Sequence, residues 1–276
     1  MFKSILAVSE GGPDAAMSFK LAARVANLFD GAVDALHLPV GPAGGMVGGL
    51  AMSGEAMPLI MNLDDERLEE RARESERAYK ELVEPVKGAT FTAAKTATLD
   101  TLVAMGRCSD LLVLGRPGAD PENVAPATVE AAIHECARAV MISPPNPGEG
   151  AFDSVIVAWN GSFQAARAVE YALPFLAKAK EITILVAGST ADDVGAPYLA
   201  RNLGRHGLKT TIDAIDPGAV SARARGRALL DYTHGKGSSL LVMGAYGRGQ
   251  VMSFLGMGGA TAKVISSCRV PLLMAH

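Results

Sequence analysis

The sequence is poor in cysteine, in aromatic residues and in runs of like charge, and each shortage removes a class of protein. Three cysteines in 276 residues, Cys108, Cys136 and Cys268, are an odd number without CxxC spacing. That leaves no disulfide framework and points to reduced thiols in a cytoplasm. The histidines, at 37, 134, 206, 234 and 276, share no ligand spacing with one another or with the cysteines, so no metal site is expected. Most of them are expected at the surface or at strand edges. Net charge is -3 and no run of five or more Lys/Arg occurs, so no global field draws in a nucleic-acid backbone. No G-x-S-x-G nucleophile elbow is present, and Gly235-Lys236-Gly237-Ser238 lacks the first glycine and the order of a P-loop. It reads as a helix-to-strand loop.

Long apolar segments are also missing. Met1 runs straight into Ile5-Leu6-Ala7-Val8, too short for a signal-peptide core, and the chain is expected to stay inside the cell. Ala35 to Gly54 carries no Asp, Glu, Lys or Arg, the length of a membrane span, yet Pro39, Pro42 and six glycines would break a helix where lipid cannot satisfy the freed backbone. A strand followed by a glycine-rich loop at 40–57 fits better. The methionines at 46, 52, 57 and 61 leave that loop open to two readings, a disordered segment or an adaptable contact surface or lid.

What the sequence does have is a repeat. Ser4-Ile5-Leu6-Ala7-Val8 aligns with Ser154-Val155-Ile156-Val157-Ala158 at an offset of 150, and Gly11, Ala15 and Ala16 align without a gap with Gly161, Ala165 and Ala166. Leu111 to Gly115 aligns with Leu240 to Gly244 at 129, and Cys136 with Cys268 at 132. The falling offset places about 21 extra residues in the first half before its fourth strand, with 40–57 the obvious location. In the second half, apolar β-branched runs near 153–158, 181–187, 209–214, 239–244 and 271–275 alternate with amphipathic helical stretches. The pattern predicts two tandem doubly wound α/β domains, each with a five-stranded parallel sheet, at 1–144 and 151–276. Pro144 to Gly150 forms the boundary. Ligands are expected in the crevice beyond the carboxyl ends of the strands.

The strongest local signal is Gly244-Ala245-Tyr246-Gly247-Arg248-Gly249, followed by Gly256 and then Gly258-Gly259-Ala260-Thr261 at the start of the last helix. Glycines after a strand let backbone N–H groups approach a phosphate, the helix N-terminus adds positive dipole, the Thr261 hydroxyl is a further donor, and Arg248 supplies charge. A glycine-rich turn without a ligand is the alternative. Asp192-Asp193 reads as a helix start, Asp216-Pro217-Gly218 as a turn, and the mixed-charge run from Asp64 to Lys80 as a solvated helix face.

Gly244, Gly247 and the later Gly258 pattern resemble the nucleotide motif G-x2-G-x9-G-(S/T) of the universal stress proteins. Phe152 to Ser162, with its Ala-Trp-Asn-Gly-Ser ending, and Val242 to Gly247 resemble bacterial tandem members of that family. Here the spacer from Gly247 to Gly258 is ten residues and Gly259 stands where the motif has Ser or Thr. The resemblance implies a Rossmann-like fold of the adenine nucleotide α-hydrolase type and a regulatory stress-response protein. It further implies that the second domain binds ATP, ADP or AMP, possibly with Mg²⁺. Gly244, Gly247, Gly249, Gly258, Gly259 and Thr261 would then cradle phosphates, with Asn160, Val186 and Ala187 at the nucleoside. In the first half, Glu10, Leu38-Pro39 and Gly115 to Gly118 take the corresponding places without a glycine pair before the helix, so that site reads as degenerate. Two other readings stay open: a nucleotide-independent scaffold that meets protein partners or a second copy through its last strands, and slow ATP hydrolysis assisted by Asp192 or Asp193.

Overall fold

A computed structural model describes residues 1–12, 15–39, 57–118, 123–149, 151–216, 221–246 and 259–276. The first half runs β1 (Ser4–Ser9), α1 (Ala15–Phe29), β2 (Ala32–His37), α2 (Met57–Leu82), β3 (Thr90–Thr92), α3 (Leu99–Arg107), β4 (Leu111–Gly115), α4 (Pro126–Glu135) and β5 (Ala139–Ser143). The second repeats it as β6 (Ser154–Ala158), α5 (Phe163–Leu176), β7 (Glu181–Ala187), α6 (Ala196–Arg205), β8 (Thr211–Ile215), α7 (Ala222–Gly235), β9 (Leu240–Gly244), α8 (Ala260–Ser267) and β10 (Leu272–Ala275). The strand periods read from the sequence thus become strands, and the repeat becomes a structural one.

The two sheets are one. Strand order is β3-β2-β1-β4-β5-β10-β9-β6-β7-β8, parallel within each half and antiparallel only where β5 meets β10, Met141 opposite Leu273. Joining two half-sheets in this way removes two edges that would otherwise present unpaired backbone groups. It also corrects the expectation that the last strands serve association with a second copy, because each is flanked on both sides within the chain.

Alternation along the strands divides the core in two. Ile5, Ala7, Val33, Ala35, Val155, Val157, Ile182 and Ile184 face α1, α2, α5 and α6. Leu6, Val8, Leu112, Leu114, Ile156, Leu241 and Met243 face α3, α4, α7 and α8. Buried on both faces, the central strands β4, β9 and β10 are continuous apolar runs, whereas the edge strands β3 and β8 are partly exposed. The repeat-related Phe2 and Phe152 meet Phe29 and Phe175 in a four-ring cluster, centroids 5.0 to 5.4 Å apart, that ties the halves together on the first face. At this separation edge-on and tilted rings contribute beyond their buried area.

Two local expectations change. The extra length of the first half is carried partly by α2, 26 residues against 10 in its counterpart α6. Residues 40–56 of the expected loop lie outside the described residues. Asp192 and Asp193 sit in the turn before α6, whose N-cap is Gly195 at φ +69°, rather than in its first turn.

Candidate functional site

The crevice of the second half opens where β6 and β9 lie side by side and the chain leaves them in opposite directions, to β7 through α5 and to β10 through α8. This is the switch point at which doubly wound sheets hold ligands. After β6 the chain reaches Asn160, whose Oδ1 accepts from the Ser162 N–H (3.1 Å) and hydroxyl (2.7 Å), while Ser162 in turn caps α5 by accepting from Ala165 N–H at 3.2 Å. The Asn160 amide nitrogen, on an exposed side chain, is what remains for a ligand. Trp159 Nε1 donates to the Val194 carbonyl at 2.7 Å and fixes the turn before α6 against this loop. Asp192 and Asp193 are exposed in that turn, the Asp193 N–H donating to Thr190 Oγ1 at 3.2 Å.

Val186 and Ala187 end β7 one step past its pairing with β6. The last rungs are Ala158 opposite Leu185 and the Trp159 N–H donating to the Leu185 carbonyl at 2.9 Å, so the β6-facing backbone beyond them is at the crevice. At the end of β9, a Cβ on Gly244 would lie 2.6 Å from the Ala165 nitrogen and 2.8 Å from the Gln164 carbonyl carbon. Only glycine lets the start of α5 approach so closely. Tyr246 follows at φ +51°, and its N–H donates to Thr261 Oγ1 at 3.4 Å. Thr261 therefore ties the turn after β9 to the first turn of α8.

Gly259 is the N-cap of α8, and among the described residues there is no side-chain hydrogen bond at the cap and nothing within 4 Å of a Cβ placed there. Among the described residues no side chain caps the first N–H groups of this helix. Gly247, Arg248, Gly249 and Gly258 lie outside the described residues. The structure thus gathers Asn160, Val186, Ala187, Gly244, Gly259 and Thr261 at the carboxyl ends of β6, β7 and β9. Sequence reasoning missed Gln164 and Tyr246. Gln164 Nε2 donates to the Tyr246 carbonyl at 3.3 Å, and both Gln164 Oε1 and the Tyr246 hydroxyl are buried without a partner. The Tyr246 ring packs on His134 of α4 at 5.0 Å, and burial pushes its hydroxyl pKa up to about 12, helped by Glu130. Tyr246 lies inside the glycine signal but has no role assigned by it, and Gln164 carries no motif that would have marked it.

The matching crevice of the first half is filled by the chain itself. Glu10, the counterpart of Asn160, is 4% exposed, and its carboxylate crosses from β1 to the start of α4, accepting from Ala125 N–H at 2.9 Å and Thr128 Oγ1 at 2.5 Å. A carboxylate is a favourable occupant of a helix N-terminus. From above, α2 clamps the same loop: Arg71 donates to the carbonyls of Glu10 (2.6 Å) and Gly11 (3.2 Å), and Glu74 accepts from Gly12 N–H at 2.7 Å. Ser75 bonds Ser9 Oγ at 2.8 Å and His37 Nδ1 at 2.9 Å. One expectation is extended and one corrected. The Asp64 to Lys80 run is solvated on one face only, with Glu76–Lys80 at 2.6 Å among its ion pairs, while Arg71, Glu74 and Ser75 close the crevice. His37 is 2% exposed at the end of an interior strand, not at a strand edge. The signal was present in the spacing of Ser75, Ala78, Tyr79 and Leu82, an i, i+3, i+4, i+7 stripe inside the charged run. Among the described residues no cluster of His, Cys, Asp and Glu could hold a metal ion.

Burial is the dominant influence on Glu10 and raises its pKa above the ordinary 4.5, against the lowering effects of Thr128, Ala125 and Arg71. A raised carboxylate favours the folded state most at acid pH, and that contribution is lost as pH rises through the folded pKa. Urea midpoints of the wild type minus those of Glu10→Gln are therefore expected to fall between pH 4 and pH 7. A rising difference would mean that the carboxylate is held more strongly than burial penalises it.

The geometry can be set beside known proteins. No protein-family model matches the chain, and no curated protein matches it. Among solved structures, a universal stress protein from Archaeoglobus fulgidus superposes with a TM-score of 0.64 at 17% identity, covering 99% of this chain and 97% of that one. The universal stress protein UspA from Lactobacillus plantarum covers 45% of this chain at 18% identity with a TM-score of 0.31. The chain has the fold of a universal stress protein across both halves, a Rossmann-like α/β architecture repeated once. No described helix is long and apolar enough to cross a membrane.

Proposed function

We propose that this is a cytoplasmic, regulatory stress-response protein that binds an adenine nucleotide in its second half alone. The observation that carries the reading is the contrast between the two crevices. In the first, the Glu10 carboxyl group sits at the start of α4. In the second, the residue at the repeat-related position is neutral Asn160, turned into its own loop, and among the described residues no side chain caps the start of α8. The Glu10 carboxylate is a built-in stand-in for the anion that the second crevice would take from solution. A phosphate at the start of α8 would accept the first-turn N–H groups, and the Asn160 amide with the backbone of Val186 and Ala187 would face the nucleoside. Gly247, Arg248, Gly249 and Gly258 belong to the same proposed cradle on sequence grounds.

A second reading, a scaffold that binds partners without nucleotide, is favoured by one observation: half of the repeat has already closed its crevice with α2. Calorimetric titration of the purified chain with ATP, with and without Mg²⁺, separates the two, together with a search for nucleotide released on denaturation. Micromolar binding or released nucleotide supports the first; neither, with a protein partner captured in the absence of nucleotide, supports the second.

A further inference from the structure

Tyr246, at φ +51°, is one of three residues other than glycine with a positive φ among the described residues. The other two, Asp30 and Ala137, stand just past the ends of α1 and α4, where a left-handed residue commonly closes a helix. Tyr246 follows a strand instead, and a bulky side chain persists in that region only where its surroundings hold it. Three contacts do so. The Tyr246 carbonyl accepts from Gln164 Nε2 at 3.3 Å, its N–H donates to Thr261 Oγ1 at 3.4 Å, and its ring packs on His134. Gln164 lies in the first turn of α5, on the first face of the sheet, and Thr261 in the first turn of α8, on the second. One residue therefore straps together two helix starts that stand on opposite faces of the sheet at the same crevice.

Stability does not explain the choice of glutamine at position 164. The side chain is 3% exposed and begins at the end of β9, where a Cβ on Gly244 would lie 2.8 Å from the Gln164 Cβ. With Nε2 directed at the Tyr246 carbonyl, turning the amide over would set Oε1 against another oxygen, so Oε1 is left buried with no donor among the described residues. A buried acceptor without a donor is a net cost, and the bond formed in exchange is longer than an ordinary N–H···O bond. Methionine, unbranched, apolar and of similar length, would carry none of that cost. What glutamine supplies and methionine does not is the hold on the turn.

We propose that Gln164 is a positioning residue: through Tyr246 and Thr261 it fixes the start of α8 relative to α5, and so sets the geometry that a phosphate-bearing ligand meets in the second crevice. The consequence for the ligand rests on the proposed function; the strap itself does not. The test compares the full chain with Gln164→Met and with Thr261→Val, which cuts the strap at its other end. Each is followed by its thermal midpoint, by exchange of backbone amides with deuterium, and by titration with ATP. In Gln164→Met the midpoint is expected to hold or rise. The amides of Tyr246 and of Lys263, whose N–H makes the bond to Gly259 at the start of α8, are expected to exchange about tenfold faster while those of Leu241 to Met243 in β9 stay unchanged. ATP is expected to bind about tenfold more weakly, as befits the loss of one hydrogen bond that orders the site.

Faster exchange of the same two amides in Thr261→Val supports the strap from the α8 side. Exchange altered as expected in a wild type that takes no ATP would leave the strap standing and remove the nucleotide reading. Three results overturn the proposal: unchanged exchange at Tyr246 and Lys263 in either variant, ATP affinity that Gln164→Met leaves intact, or a lower midpoint with faster exchange all along β9. The last would make Gln164 an ordinary packing residue.

Discussion

Gly11→Ala is expected to destabilise the fold by at least ~3 kcal/mol, whereas Gly207→Ala should cost only about 1 kcal/mol. The two glycines share a left-handed backbone, φ +78° and +77°, so the cost of placing an L side chain in that region is common to both. They differ in what a Cβ would meet. At Gly207 no described residue lies within 4 Å; at Gly11 the new atom would lie 2.4 Å from Arg71 Cβ and 2.5 Å from the Arg71 carbonyl oxygen. Backbone on α2 cannot swing aside as the end of a flexible side chain can, so the helix must lift and release the bonds of Arg71, Glu74 and Ser75 to the β1 loop. Urea denaturation of both variants reads the difference. Equal losses would mean that α2 does not close the first crevice.

Acid should act on the same place through His37. Burial, reinforced by the neighbouring Arg71 guanidinium, lowers its pKa from 6.5 to about 4. A histidine depressed in the folded state leaves the unfolded chain holding more protons between those values. Its contribution is therefore fully present above pH 6.5 and lost as pH falls toward 4, on the order of 3 kcal/mol in all. Glu10 acts with the opposite sign, so His37 is read by difference: wild-type stability relative to His37→Gln is expected to decline steeply from pH 6.5 to 4.5. A flat difference would place the imidazole in contact with water.

The fold was legible because its signals are local and repeated. Strands such as Leu240–Gly244, buried on both faces, are apolar throughout, and the offset of 150 between Ser4 and Ser154 declares the duplication without any knowledge of packing. The joining of β5 to β10 was not legible, since nothing in Ala139–Ser143 distinguishes pairing with a repeat from pairing with a second copy. The close approach at the end of β9 was visible through Gly244, because glycine marks places where two backbones meet. Glu10 was recognised as the counterpart of Asn160, but its reach to Ala125 and Thr128 spans more than a hundred residues and leaves no periodic trace. The roles of Arg71 and Ser75 were hidden for a related reason: the charged residues around them fit a solvated face equally well until the helix is docked.

The central claim is that one crevice is filled by the chain's own carboxylate and the other is open to a nucleotide phosphate. Gly259→Asp tests it most directly, because it places at the start of α8 what Glu10 places at the start of α4. Gly259 has φ -77° and ψ 162°, extended backbone that aspartate adopts without strain, and no described residue comes within 4 Å of the new Cβ. Aspartate is a good N-cap, so stability should hold or rise by a few tenths of a kcal/mol. Calorimetry with ATP is predicted to give one site per chain in the wild type and a loss of about 100-fold or more in the variant, as its carboxylate takes the helix N–H groups and repels the phosphate. Two sites per wild-type chain, or ATP affinity unchanged by Gly259→Asp, would contradict the account.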